Sequence, residues 1–227
     1  MASGATVEGS HILIATGRVP NIDTLQLEKA GITYDRAGIP VSAGLRTSNR
    51  RVYAIGDVVK DGPKFTHAAG YHAGVVVRNA LLGLPARARH EHIPYVTFTD
   101  PELAQVGLTE VEAKKIYGTS VEVARFDIGE TDRARAERLP QGEIKMMVRK
   151  GRAVGVSILG PQAGEMINFW AFILTHNIKL SKISAYVSPY PTLHEANKRV
   201  VGAYFAPKLF NSSLIKWGVG MVQRLLP

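Results

Sequence analysis

The stretch GEIKMMVRKGRAVGVSILG, residues 142–160, decides how the second half of the chain folds. Two runs rich in Ile, Val and Met flank Lys150-Gly151, which reads as a β-hairpin with a short turn; Lys-Gly is a weaker turn signal than Asn-Gly. Working outward, IPYVTFT at 93–99 alternates as a half-buried strand does, and DPE at 100–102 is a turn. LAQVGLTE at 103–110 leads into a helix whose Thr109 and Glu112 have capping-box spacing and which ends near Gly118. SVEVARFD at 120–127 is a further strand. The helices gather late: AGEMINFWAFILTHN at 163–177 and a shorter one in KLSKISAYV at 179–187. Strands followed by helices imply an α+β layer, an antiparallel sheet with helices on one face. Around 169–174 the first late helix is apolar nearly all round, which predicts burial, with another subunit as one candidate for what covers it.

The first half reads differently. HILIATGRVPN at 11–21 opens with a continuous apolar strand, His11 to Ala15, and breaks at Gly17. RRVYAIGDVV at 50–59 is a second such strand, ending at Gly56 and Asp57. Runs of this kind belong to parallel sheets with neighbours on both sides. KFTHAAGYHAGVVVRNALLG at 64–83 is a helix with Thr66 as N-cap and Gly83 at its stop. The polar, Pro-containing LPARARHEH at 84–92 is the expected domain boundary. Units of 1–88, 89–207 and 208–227 follow. In the last, Phe210, Leu214, Trp217, Met221 and Leu225 recur at helical spacing, predicting an amphipathic helix docked on the body or a partner chain, with membrane-surface attachment as the other reading.

Composition removes several function classes. The chain has 227 residues and 45% hydrophobic content, enough for a sizeable core and too apolar for disorder. Cysteine is absent, so this sequence offers no disulfide, thiolate metal site or thiol nucleophile. No apolar run is long enough to span a bilayer. Residues 1–10, MASGATVEGS, lack the charged-then-apolar order of a signal peptide, which makes the cytoplasm the default location. The formal charge of +9 raises the question of a polyanion partner. The cations are interleaved with acids, as in TDRARAERL, and carry no nucleic-acid motif, so no nucleic-acid partner is expected. Seven histidines give no metal signature: HEH at 90–92 is a loop pair, and His67 and His72 read as helix-surface or core-edge residues.

Three places carry candidate chemistry. Asp57 sits where a strand ends and a helix soon begins, a position where ligands bind in open α/β sheets. It either accepts hydrogen bonds from sugar-type hydroxyls or organises a turn. The helix start after it offers backbone N–H groups and a positive dipole end. Gly17 permits close backbone approach and Arg18 can pair with phosphate or carboxylate, although a strand-ending glycine is commonly just a turn. SPYPTLHEANKR, residues 188–199, looks like an active-site loop entering a helix. Thr192 and Glu195 also have capping-box spacing.

Six segments, HILIATGRVPN, VYAIGDVV, FTHAAGYHAG, YVTFTDPELAQVGLTE, GPQAGEMI and PYPTLHE, together resemble the pyridine nucleotide–disulfide oxidoreductases, in that family's order. The resemblance covers almost the whole chain apart from 208–227. It implies that residues 1–88 are a C-terminal remnant of α/β NAD(P)- and FAD-binding domains and that 89–207 is a dimerisation domain forming a homodimer. It further implies FAD and NAD(P) as cofactors of a full-length protein, with Asp57 on the ribityl chain and Gly17, Arg18 and Gly56 near the flavin. Phe65, Thr66 and His67 would face the flavin's pyrimidine side. Tyr190 stands where many members have a histidine acid/base, and Glu195 matches the glutamate that orients it; these are the expected catalytic positions. A free tyrosine titrates near 10, so Tyr190 suits hydrogen-bond donation better than proton abstraction at neutral pH. A tyrosine in this region leans toward the mercuric-reductase-like branch. The family's Gly-x-Gly-x-x-Gly turn and redox cysteine pair have no counterpart here. The expectation is therefore a fragment that binds no cofactor alone and is inactive alone, providing homodimerisation and part of a trans active site. The alternative is a non-catalytic self-association module with no cofactor.

Overall fold

The computed structural model describes residues 4, 6, 8–139 and 142–225. The readings made on residues 1–10 and on the end of 208–227 therefore fall partly outside the described residues. The chain divides into two compact units, Met1–Ala88 and Arg89–Pro227.

Unit Arg89–Pro227 is built on a five-stranded antiparallel sheet in the order β1-β2-β5-β4-β3. Its strands are β1 (Tyr95–Thr97), β2 (Glu102–Gly107), β3 (Glu122–Asp127), β4 (Glu143–Arg149) and β5 (Arg152–Gly160). The hairpin expected at Lys150-Gly151 forms: both residues have positive φ, 49° and 70°, as a tight primed turn requires. Register places Ala104, Ile158, Ile144 and Phe126 in one cross-strand row, and Val106, Val156, Met146 and Ala124 in the next. These alternate positions form the inner face. The row between them, on the other face, is polar: Gln105, Ser157, Lys145 and Arg125.

Two long helices cover the apolar face, α4 (Ala163–Thr175) and α6 (Glu195–Phe210). The first buries Met166, Ile167, Trp170 and Ile173; the second buries Ala196, Asn197, Val200, Val201 and Tyr204. They meet at a polar pair inside the core. Trp170 Nε1–H donates to Asn197 Oδ1 at 2.8 Å, and Asn197 Nδ2 donates to the Met166 carbonyl at 3.1 Å. Each polar group is thus paired, which removes a desolvation cost of about 1–3 kcal/mol for each group otherwise left without a partner. Glu102 of β2 accepts the Gly164 N–H at 2.8 Å and so closes the start of α4 from across the sheet.

The shorter α2 (Glu110–Tyr117) carries the expected capping box. Thr109 Oγ1 accepts from Glu112 N–H, and Glu112 accepts from Thr109 N–H at 2.8 Å. Its Glu110 pairs with Lys145 and Arg125 on the polar face. Close backbone approach fixes how β2 leaves the sheet: a Cβ on Gly155 would collide with the Leu108 carbonyl, and Gly107 has φ +67°. The stretch 103–107, read only as an approach to α2, is a full strand, because its backbone pairs with β1 and β5 on both sides. A short α3 (Asp132–Ala136), capped by Thr131, was not expected, and α5 (Leu180–Ile183) is a single turn.

The helix expected at the end of the chain forms as α7 (Ser213–Leu225), and it is not buried against the body of this chain. None of its residues is buried among the described residues. Within this chain alone, α4 leaves Phe172 58% exposed.

Unit Met1–Ala88 has a smaller core of Ile22, Leu27, Ile32, Ile39, Ala54 and Val59. The strand expected at His11 to Ala15 is not one: the segment pairs with no strand among the described residues, and Leu13 is 88% exposed. The second expected strand reduces to isolated bridges, Arg46 to Tyr53 and Ile39 to Val59. A parallel-sheet strand leaves its N–H and C=O groups unsatisfied without neighbours, and none of the described residues provides them. Helix α1 (Thr66–Ala80) forms, but Phe65 occupies the N-cap position and Thr66 is the first helical residue, with no side-chain cap.

Candidate functional site

In unit Met1–Ala88 the backbone gathers the expected flavin-side residues around the start of α1. Gly56 opens a 3-10 turn, Gly56–Val58, with φ +68°. A Cβ there would lie 3.0 Å from Ala69 Cβ, so glycine lets this turn press against α1. The contact is secured by a buried hydrogen bond in which Gly56 N–H donates to His72 Nδ1 at 3.1 Å. His72, read as a surface or core-edge residue, is fully buried. Its spacing with buried Ala68 and Val75, at i−4 and i+3, is the helical signal that places it inward. Asp57, next in the chain, remains exposed.

Arg18 Nη1 donates to the Lys64 carbonyl at 3.3 Å, which brings the Gly17-Arg18 turn to the residues just before α1. Gly17 has φ +152°, a conformation that favours glycine. Phe65 and His67 stack in parallel at 5.3 Å, with 5° between their planes. The result is a helix N-terminus without a side-chain cap, an exposed carboxylate on the adjacent turn, and a nearby guanidinium. A helix start of this kind presents N–H donors and a partial positive charge. This donor-and-carboxylate set fits one edge of a flavin with its polyhydroxyl chain; it provides no phosphate-binding glycine loop.

The second candidate group lies in unit Arg89–Pro227. Tyr190 is 69% exposed, and its hydroxyl donates to Asp132 Oδ2 at 2.9 Å. That hydrogen bond, and then the carboxylate's charge, hold the phenol above its ordinary value of about 10. A neutral, donating tyrosine is the resulting state at pH 7. Asp132 was not singled out from sequence, and its partnership spans 58 positions with no local signal.

Glu195 does not cap α6. Thr192 Oγ1 donates instead to the Pro189 carbonyl at 2.8 Å, and the helix entry is a run of tight turn bonds beginning with Glu195 N–H to the Thr192 carbonyl. Thr192 is thereby committed to the turn, and His194 stands at the N-cap in a helical conformation that no capping side chain uses. Glu195 Oε1 pairs with Arg199, while its Oε2 is buried with no hydrogen-bond partner. His194 lies beside it, half-buried between Phe169 and Tyr186 at ring distances of 5.0 and 6.0 Å. Its Nδ1 is 3.2 Å from Asn197 Nδ2, and its Nε2 is buried without a partner. Burial pushes the imidazole below its ordinary value.

A cleft of about 950 Å³ opens beside β3, lined by Arg125, Phe126, Glu143, Leu159 and Arg199 among others. Arg125 is paired with Glu143, and Arg199 with Glu195. Both of these cations are thus held by carboxylates on or beside its walls, and Asp127 and Glu130 also line it. No group of three or more potential metal ligands occurs among the described residues.

Comparison with known proteins covers both units. Residues 93–201 match the family described as pyridine nucleotide-disulphide oxidoreductase, dimerisation domain, and residues 1–73 match pyridine nucleotide-disulphide oxidoreductase. A dihydrolipoyl dehydrogenase of Bacillus subtilis (strain 168) is 32% identical over 201 residues, covering 86% of this chain and 43% of the relative. A mercuric reductase of Staphylococcus aureus is 34% identical over 195 residues, covering 85% of this chain and 35% of the relative. Among solved structures, LpdA from Mycobacterium tuberculosis superposes with a TM-score of 0.79 at 27% identity, covering 89% of this chain and 44% of that one. The HOCl-induced flavoprotein disulfide reductase RclA from Escherichia coli gives 0.72 at 26% identity, covering 83% of this chain and 44% of that one. The chain spans about two-fifths of the length of the curated relatives it matches.

Proposed function

Because the chain belongs to the pyridine nucleotide-disulphide oxidoreductases, we propose that it supplies the dimer-forming domain and one flavin-facing edge of an FAD-dependent, NAD(P)H-linked disulfide oxidoreductase-type flavoprotein. The observation that carries this reading is the complete sheet-and-helix unit over the dimerisation-domain match, with Tyr190 and Glu195 positioned at the entrance to α6.

Within that role, Asp57 accepts hydrogen bonds from the hydroxyls of a flavin's ribityl chain. The N-terminus of α1, at Thr66 and His67, meets the electron-rich pyrimidine edge, Phe65 and Gly17 shape the approach, and Arg18 balances negative charge nearby. Gly56 holds Asp57 in place through its bond to His72. A bound flavin supplies a two-electron carrier between nicotinamide and an acceptor. Tyr190 contributes a hydrogen-bond donor toward that acceptor, held by Asp132, rather than a general base. Glu195 keeps one oxygen on Arg199 and offers the other as an acceptor to an incoming donor. The chain contains no cysteine, so any thiol pair in the reaction comes from other residues than these.

The alternative is a self-association module with no cofactor in any context. Sedimentation and flavin absorbance distinguish the two. We expect the chain at micromolar concentration to be a homodimer, to retain no flavin after gel filtration with FAD, and to oxidise neither NADH nor NADPH. A monomer overturns the dimer-forming role. In a longer form that binds flavin, Asp57→Ala lowers flavin retention, whereas full retention by that variant removes Asp57 from the site.

A further inference from the structure

α7 stands apart from everything assigned above. It lies beyond the dimerisation-domain match, which stops at residue 201, and not one of its residues is buried. Leu214 and Leu225 are each about three-quarters exposed, and Trp217 is 66% exposed. At 3.6 residues per turn, Leu214, Met221, Leu225, Val222 and Ile215 share one continuous face, with Trp217 at its border. Ser213, Lys216, Gln223 and Arg224 occupy the opposite side.

We propose that α7 is a peripheral membrane anchor that lies flat on an anionic lipid surface, with its apolar face among the acyl chains and Lys216 and Arg224 among the headgroups. Charge selects this occupant. From residue 196 to residue 227 the sequence contains no Asp or Glu, while it contains five Lys or Arg. Lys208 is held by Glu122, whereas Lys216 and Arg224 form no ion pair among the described residues. A second copy of α7 laid on the apolar face would leave both cations facing outward and bring no acid to meet them. Lipid phosphates complement both cations at once. Trp217, at the boundary between the two faces, suits the headgroup level, where an amphipathic ring is half wet. The helix has 13 residues, and no helix among the described residues is long and apolar enough to cross a membrane, so the geometry is that of lying on the surface. This inference is independent of the redox role.

The test uses the full chain with phosphatidylcholine vesicles, with and without phosphatidylglycerol. The two tryptophans separate cleanly, since Trp170 is fully buried and Trp217 is not. We expect co-sedimentation with the anionic vesicles and a blue shift of tryptophan emission that Trp217→Phe abolishes. Leu214→Glu with Leu225→Glu should remove binding. Lys216→Gln with Arg224→Gln should weaken it by about 25-fold, at about fivefold per cation. Because these side chains contribute nothing to the core, far-UV circular dichroism should show each variant folded. Failure to bind anionic vesicles overturns the proposal, as does equal binding to neutral ones. A change of oligomeric size on Leu214→Glu, without vesicle binding by the parent chain, assigns the face to a second copy instead.

Discussion

Unit Arg89–Pro227 and unit Met1–Ala88 have similar kinds of sequence and opposite outcomes. Both contain runs such as KMMV and HILIA that are apolar and β-prone. In the second unit, β4 runs between β3 and β5, so its backbone groups are paired on both sides and Ile144, Met146 and Val148 are sealed under α4 and α6. In the first, residues 11–15 are equally apolar yet stand in the open, with Leu13 and its neighbours exposed. The difference lies in connectivity. An antiparallel sheet draws its strands from adjacent hairpins, while a parallel one needs strands delivered by long crossovers. A strand is a property of its neighbours as much as of its residues.

The sharpest way to break this comparison is to attack the sealed side. Trp170→Ala should destabilise unit Arg89–Pro227 by about 3–5 kcal/mol, the range for removing a buried aromatic, with Asn197 stranded as well. Urea denaturation followed by circular dichroism measures it. A loss below about 1 kcal/mol would mean that the α4–α6 contact contributes little to the stability of this unit.

A smaller effect sharpens the comparison through pH. The His194 imidazole, packed against Phe169 and Tyr186 and hydrogen-bonded to Asn197, is held below its ordinary value by burial. Above about pH 6.5 it is neutral in both folded and unfolded chains and contributes no pH dependence. As pH falls below that, the unfolded chain takes up the proton first, so folding stability declines until the folded value is reached. Comparing denaturation of the parent chain with His194→Gln between neutral and mildly acidic pH isolates this term. The parent should lose stability relative to the variant on acidification, and parallel curves would remove His194 as the cause.

The smallest effect belongs to the open side. Leu13→Ala should change the stability of this chain by less than about 0.5 kcal/mol, as at surface positions generally, despite the size of the side chain removed. Limited proteolysis should cut within residues 8–19 before any site in β4 or β5. A large loss on Leu13→Ala, or protection of that stretch, would mean that it is packed in solution and that the contrast between the units is weaker than the exposures indicate.

The sequence by itself determined the elements whose signals are local. The Lys150-Gly151 hairpin, the Thr109–Glu112 capping box and the helices at 66–80 and 163–175 all rest on contacts between residues a few positions apart. The order of six segments was enough to give the family. Strand-end and helix-start signals located Asp57 and the start of α1 as places of interest, and the resemblance to the family located Tyr190 and Glu195. The sequence did not show Asp132 under the Tyr190 hydroxyl, Glu102 closing α4, or His72 holding Gly56, which join residues 58, 62 and 16 positions apart. It also misjudged Thr192, whose spacing to Glu195 matches a capping box while its hydroxyl is bound to Pro189. Spacing is shared by alternative partners, and only the folded backbone decides which one comes within hydrogen-bond distance. The same holds for burial: residues 11–15 and 144–148 are alike as strings, and pairing and packing alone set them apart.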